Sequence, residues 1–457
     1  MSDVEAAMWN AEKDPYLSST FGSVTVLEHP PDMEHFRLRM RRTAVRIPRL
    51  HQRVVPGLGR LAPPEWHDDP DFDIDYHVRH VSLPAPGSYA QLWELALLIV
   101  HDPFDRTRPL WSFTVVDGLE GGRSAIVQKM HHTISDGVGT VRISEQYVDL
   151  NADLPDIDLD EVELRPEPPE PDANVLESVV GTLEALGQRT VHAVERAAGE
   201  TVGVLREPGK LGGLPNDVVA TARSAMRQVI VTDPARSPLW TTRTLHRWYS
   251  GIDLSFDDCY RAAKALGGSL NDLFVTATAG GAGAYHRTLG SPVDVLRMAM
   301  PISTRTDHDA GGNAFVPTRM LVPAGIEDPV ERFDALRAIV AETRADRVVG
   351  MASSFAGVAN LLPTSVLVRL ARQQTETIDF TASNVRAAPF DLYIAGARVE
   401  STYPIGPMVG TAFNLTMLTY AGGLYLGLHI DRGAIADPPL LRDCIAASFD
   451  ELIAAGR

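Results

Sequence analysis

The chain has 457 residues, 44% of them hydrophobic and 22% charged, with a formal net charge of −17. That length exceeds one comfortable core, so two domains are expected, and the apolar fraction is ordinary for a globular protein. The acidic balance argues against a general nucleic-acid binder, which needs a basic face to displace counterions, while leaving room for a local basic channel for a phosphate-bearing ligand.

Residues 21–117 read as mixed α and β. GSVTVLE (22–28) has strand character, and SYAQLWELALLIVHDPF (88–104) carries a helical apolar face interrupted by Pro103. LWSFTVVDGLEGGRSAIVQKMHH is two β-rich runs joined by the turn signal DGLEGG, which predicts a hairpin whose second strand ends at His131 and His132. A helix is expected next, in SDGVGTVRISEQYVDL, with Ser135 or Asp136 as its cap and Val138, Val141, Tyr147 and Val148 on its apolar side. Residues 153–173 (DLPDIDLDEVELRPEPPEPDA) are acidic and proline-rich, as in an exposed linker. Residues 174–200 then repeat apolar positions at helical spacing (Val175, Val179, Leu183, Leu186, Val194), a one-sided stripe that fits packing on a neighbouring domain or contact with a membrane. REPGKLGGLPND (206–217) punctuates this region, and a second αβ segment begins near LHRWYSGIDL. The expected organisation is an N-terminal domain over 1–152, a linker and helical region over 153–240, and a C-terminal domain over 241–457. GGLYLGLHIDRG (422–433) reads as a buried strand with Asp431 at its end.

Cys259 and Cys444 are the only cysteines and have no CxxC spacing, so they support neither a disulfide framework nor a zinc ribbon. The opening MSDVEAAMWNAEKDP is acidic where a secretory signal is basic and then apolar. No apolar run approaches the roughly 18 residues that span a bilayer. These features predict a cytoplasmic protein, with a peripheral stay at a membrane surface open.

The stretch MHHTISDG concentrates the chemistry. Successive side chains of a strand point to opposite faces, so His131 and His132 cannot both face one site if the strand persists through them. That counts against a metal centre, which needs about three converging protein ligands. One imidazole suffices for general-base work, since a neutral ring with a reference pKa of about 6.5 can take a proton from an alcohol. Asp136 can anchor the turn or orient a ring nitrogen, and Gly137 lets the backbone turn tightly. On spacing alone, a buried histidine closing a strand before a routine Asp-Gly turn fits as well.

HHTISDG fits the HHxxxDG signature of the CoA-dependent acyltransferase superfamily. The blocks PEWHDDPDFDIDYHVRHVSLPAPG (64–87), FDRTRPLW (104–111), SLNDLFVTATAGGAGAYH (269–286), MPISTR (300–305), SNVRAAPFDLYIAGARV (383–399) and YPIGP (403–407) occur in order and resemble the bacterial wax ester synthase/diacylglycerol acyltransferase family. The resemblance implies an α/β fold of two chloramphenicol-acetyltransferase-like domains, mixed sheets flanked by helices, joined by a linker with helices and holding a substrate tunnel at their interface. It implies transfer of a long-chain fatty acyl group from acyl-CoA, as co-substrate, to the hydroxyl of diacylglycerol or a long-chain alcohol, with no permanently bound cofactor and no metal. His132 is then the base and His131 supports it; Asp136 holds the loop, with Arg305 as its candidate partner, and Gly137 completes the motif. Asn271 and Asp272 match the family's Asn-Asp motif, which shapes the site or stabilises the intermediate. Asn271 could donate to an oxyanion or cap the helix that begins near it. Trp111 is expected in the core, and the glycine-rich GGAGAYH lacks the P-loop lysine needed to cradle phosphate. Two other readings share the fold: a condensation-type enzyme taking acyl groups from a carrier-protein thioester, and a non-catalytic lipid-binding scaffold at a membrane or lipid-droplet surface.

Overall fold

A computed structural model describes residues 1–56, 64–135, 137–164, 234–303, 315–345 and 364–457. Asp136, Arg305, the expected 174–200 helix and residues 165–173 of the proline-rich linker lie outside the described residues.

The first half contains helix α1 (Asp3–Ala11), strand β1 (Thr20–Leu27), α2 (Met33–Arg46), β2 (Gln52–Val55), β3 (Glu65–Asp68), α3 (Ile74–His77), β4 (Val78–Ser82), α4 (Tyr89–His101), β5 (Trp111–Leu119), β6 (Arg123–His131) and α5 (Gly137–Ser144). The second half contains β7 (Arg247–Ser255), α6 (Phe256–Ala265), α7 (Leu270–Thr288), β8 (Val295–Ser303), β9 (Phe315–Pro323), α8 (Pro329–Ala345), α9 (Thr364–Thr375), β10 (Phe380–Arg386), β11 (Tyr393–Ile394), β12 (Ala397–Ile405), β13 (Phe413–Tyr420), β14 (Gly423–Asp431) and α10 (Pro438–Ala455). Local chemistry sets several of these limits. Ser88 and Gln91 form a capping box at the start of α4. That helix stops at His101, two residues before Pro103, whose ring cannot continue it. The β5–β6 hairpin turns through Gly121 and Gly122 at φ of 78° and 76°, a region open to glycine.

Two six-stranded mixed sheets result, ordered β11-β12-β1-β6-β5-β4 and β7-β14-β13-β10-β8-β9. In the first, β1 pairs antiparallel with β6 on one edge and β12 on the other, Thr20 standing opposite His131 and Gly22 opposite Ile405. Strands β11 and β12 come from residues 393–405, so the boundary expected near 241 does not divide the hydrogen-bonded sheets. Without β12 the edge of β1 would carry open backbone donors and acceptors beside a buried apolar face. The C-terminal half supplies the strand that closes it.

One face of the first sheet rests on α4 and on residues of the second half; Val24, Val127, Leu92, Ala96, Tyr249, Tyr403 and Ile405 share one buried cluster there. Tyr249 donates its hydroxyl to Pro404 O at 3.1 Å. A Cβ on Gly427 would stand 1.7 Å from that same carbonyl, so β14 can cross β12 this closely only with glycine. Nearby, His101 and His429 meet Nε2 to Nε2 at 2.9 Å. His429 Nδ1–H donates to Gly406 O at 2.9 Å, which leaves its Nε2 to accept from His101. Burial holds both rings neutral, pushing the His101 pKa down to about 4 and that of His429 well below its ordinary value.

The second half is organised around α7, which is buried on nearly every side. The glycine-rich GGAGAYH belongs to this helix and serves packing. A Cβ on Gly281 would lie 2.5 Å from Ile445 Cα in α10, and one on Gly283 would lie 1.9 Å from Ala324 O. Gly281→Val should therefore cost about 3 kcal/mol through overpacking, read as a lowered urea midpoint in equilibrium unfolding. Acid should weaken the fold through its buried histidines. A folded pKa below the unfolded value leaves the stabilisation complete above about pH 6.5 and removes it as pH falls towards about 4. Urea titrations at pH 7 and pH 5 should show about 2 kcal/mol of loss from His101, and His101→Gln should lose that increment.

Candidate active site

His131 closes β6, flanked on both sides by strands, and His132 follows it directly. His131 N–H donates to Leu110 O at 3.0 Å, and His132 N–H donates to Ser19 O at 3.2 Å, so the two residues extend the ladder towards opposite neighbours. Ile134 N–H then bonds His131 O at 2.9 Å and turns the chain out of the sheet. The side chains alternate as a strand requires. His131 shares a side with Lys129, whereas His132 lies against Phe21, ring centroids 4.5 Å apart at 42°. His132 is half-buried and His131 is 1% exposed. The helix expected after the motif begins at Gly137 as α5. Asp136 and Arg305 fall outside the described residues, so their pairing stays a proposal.

The surroundings of His131 define its role. Thr133 N–H donates to Nδ1 at 3.1 Å, with the Thr133 hydroxyl 2.7 Å from the same nitrogen. Nδ1 is thus the acceptor, and the ring proton sits on Nε2, 2.5 Å from Glu12 Oε2. Trp9 and Phe104 meet the ring edge-on at 6.1 and 6.3 Å. Arg106 bonds Glu12 Oε2 at 3.2 Å and lies 4.0 Å over Trp9. Burial works to raise the Glu12 pKa, but the hydrogen bond from His131, the Ser19 N–H and the Arg106 charge outweigh it and hold the carboxyl below its ordinary range. On the far side of the turn, Arg49 pairs with the buried Glu5 at 2.6 Å and donates to Thr133 O at 2.7 Å. Both carboxylates belong to α1 or its C-cap, so the first helix of the chain braces the turn that carries the histidines. Sequence reasoning missed Glu12, Glu5 and Arg49. Glu12 lies 119 residues from His131, and no spacing rule links them.

Asn271 and Asp272 separate into two roles. The N-cap of α7 is Ser269, not Asn271: the Asp272 carboxylate accepts from Ser269 N–H at 2.8 Å and the Ser269 hydroxyl accepts in return from Asp272 N–H at 3.3 Å. Ser269 stands three residues before an acidic side chain, the spacing of a reciprocal cap, so Asp272 serves the helix start. Asn271, inside the first turn, accepts at Oδ1 from Asn384 Nδ2 at 3.4 Å. Its own buried Nδ2 has no hydrogen-bond partner among the described residues, nor does Asn384 Oδ1. A buried amide donor left unmatched is costly unless something else engages it. Asn384 belongs to the quoted SNVR block, yet sequence reasoning did not single it out; a polar residue inside a strand was the available signal. Helix α5 packs on β10, which carries Asn384, and so links the histidine turn to this amide pair. Trp111 lies in the core as expected, 1% exposed, donating Nε1–H to Leu50 O at 2.7 Å.

Two surface cavities of the first half are lined by neither histidine. The larger, about 590 Å3, is walled by Asp68, Asp69, Asp160 and Glu163 against Arg41 and His51, a field that repels an anionic ligand. The smaller, about 270 Å3, lies between Tyr76, Phe104 and Trp111 beside Lys129. Burial lowers the Lys129 pKa to about 8; its ammonium bonds Asp102 O and sits 4.2 Å over Phe104. Among the described residues no group of three or more His, Cys, Asp or Glu side chains is placed to hold a metal ion.

The wax ester synthase/diacylglycerol acyltransferase catalytic-domain family matches residues 1–274, and the C-terminal-domain family of the same enzymes matches residues 311–453. A Mycobacterium tuberculosis protein provisionally named diacylglycerol O-acyltransferase Rv2484c is 33% identical over 470 residues, covering 99% of this chain and 91% of its own. A second protein from that organism, given the similar name diacylglycerol O-acyltransferase tgs1, also on a provisional basis, is 26% identical over 100% of this chain and 96% of its own. Among solved structures, the wax ester synthase/diacylglycerol acyltransferase from Marinobacter aquaeolei VT8 aligns with a TM-score of 0.63 at 19% identity, covering 96% of this chain and 95% of that one. The first condensation domain of the CDA synthetase aligns at 0.58 and 15% identity over 100% and 96% of the two chains, a likeness of fold alone. From the matched domains and the full-length relatives, the chain belongs to the wax ester synthase/diacylglycerol acyltransferase family of acyltransferases.

Proposed function

We propose that this protein is an O-acyltransferase moving a long-chain fatty acyl group from acyl-CoA to a lipid hydroxyl, that of diacylglycerol or of a long-chain alcohol, with His132 as general base. The observation that carries the reading is the placement of the histidine pair: His131 is consumed by buried contacts, while His132 is the half-buried imidazole at the end of a central strand in a chain of this family.

In this reading the acceptor hydroxyl and the thioester approach His132 through a tunnel between the two sheet units. His132 takes the hydroxyl proton as the oxygen attacks the thioester carbonyl, forming the C–O bond and a tetrahedral oxyanion. A preorganised donor at that oxygen contributes several kcal/mol, and the spare Nδ2 donor of Asn271 is our candidate for it. Collapse breaks the C–S bond, and the thiolate leaves with the proton held by His132. Neither cysteine is needed as a nucleophile; burial pushes the Cys259 thiol up to about 12. We place the reaction in the cytoplasm, at a membrane or lipid-droplet surface, because both acceptors are water-insoluble and both cysteines are free. Among the described residues no helix is long and apolar enough to cross a membrane. Contact of the 174–200 segment with lipid and a salt bridge between Asp136 and Arg305 belong to the same proposal.

Purified protein given radiolabelled palmitoyl-CoA with hexadecanol, diacylglycerol or monoacylglycerol should form a labelled ester with at least one acceptor, resolved by chromatography. No ester with any of them overturns the assignment. His132→Ala should lower kcat by about 10²- to 10⁴-fold, the usual contribution of a general base, and turnover at the wild-type rate removes His132 from that role.

A further inference from the structure

We propose that Glu12 is a positioning residue for His132, gripping the backbone ladder of that residue from two sides without touching substrate. The inference rests on the reading of His132 as the base. Glu12 caps the C-terminal end of α1, and four donors converge on its two carboxylate oxygens. Oε2 receives His131 Nε2–H at 2.5 Å and Arg106 at 3.2 Å. Oε1 receives the Ser18 hydroxyl at 3.1 Å and the Ser19 N–H.

These partners bracket His132. His131 immediately precedes it in the chain, and Ser19 supplies the carbonyl that accepts the His132 N–H at 3.2 Å. One carboxylate therefore ties together the residue before His132 and the residue paired with it across the ladder. Its reach is 119 residues along the chain, so the tie is set by tertiary structure. His131 is the intermediate: its Nδ1 takes Thr133 N–H, so fixing the ring through Nε2 also fixes the start of the turn that follows His132. Glu5 and Arg49 hold the other end of that turn at Thr133 O.

A neutral amide cannot replace this carboxylate. Glutamine has one acceptor oxygen, so its NH2 would face either the His131–Arg106 donors or the Ser18–Ser19 donors. A shift of His132 by a fraction of an ångström follows, and misplacement on the 1 Å scale costs catalysis about 10²-fold. Loss of alignment acts on the chemical step rather than on substrate binding, so it reads in kcat and not in KM.

The test uses the full chain with E12Q, E12D and H132A measured in parallel, each normalised to its folded fraction from thermal unfolding, with palmitoyl-CoA and the best acceptor of the panel. E12Q should lose about 10- to 100-fold in kcat with KM for both substrates unchanged, and E12D, which keeps two acceptor oxygens, should recover part of that loss. Wild-type kcat per folded E12Q molecule, a change confined to KM, E12D no better than E12Q, or failure of either variant to fold overturns the positioning role. H132A separates the two ideas. An active H132A overturns the base assignment whatever E12Q does, whereas an inactive H132A beside a fully active E12Q overturns the Glu12 role alone.

Discussion

Strand β1 is paired along both edges, and the candidate site depends on that pairing. On one side its register with β6 sets Thr20 opposite His131 and brings the Ser19 carbonyl to the His132 N–H. On the other its register with β12 sets Gly22 opposite Ile405 and fastens the first sheet to the second half of the chain. A slip of one residue would exchange the faces of every side chain in the strand. It would also withdraw Ser19 from Glu12 and from His132 together, because both contacts are made by the residue just before the strand.

The electrostatics around that strand are arranged by acids brought from a distance. Glu12 sits at the C-terminal end of α1, where the helix dipole disfavours a negative charge, and it is buried as well. Two costs are thus offset by one cluster of donors: His131, Arg106, Ser18 and Ser19. The same device recurs in the second half of the chain. Asp379 is buried and accepts from the backbone N–H groups of Arg236, Ser237 and Arg297 at 3.2, 2.9 and 2.7 Å. Asp431, at the end of β14, pairs with Arg247 at 3.2 Å and accepts from Thr244 N–H at 2.6 Å. Removing one partner from such a cluster leaves an uncompensated buried group, which costs several kcal/mol.

Glycine does structural work in the second half of the chain. The run in α7 lets that helix approach α10 and the segment after β9, and Gly427 lets β14 approach β12. Asp272 likewise belongs to the helix cap that Ser269 begins, whereas its neighbour Asn271 turns a buried amide towards Asn384. Adjacent residues of one short motif thereby serve folding and, in our proposal, chemistry.

What the sequence determined alone is whatever local periodicity and turn chemistry dictate. The β5–β6 hairpin, the ending of its second strand at the histidine pair, the helix after the motif, the C-terminal strand to Asp431 and the opposed faces of His131 and His132 all follow from alternation and glycine turns. The ordered family blocks extended this to the two-sheet α/β fold and the acyltransferase family. Tertiary structure alone decided the rest. Strand β12 crosses into the first sheet because an open edge on β1 must be closed, and nothing local in residues 397–405 names that partner. The α1 clamp likewise joins Glu12 to His131 across 119 residues. Contacts of that span arise only when the chain has folded around a common core, since a single sequence carries no local signal for which buried donor will meet which distant acid.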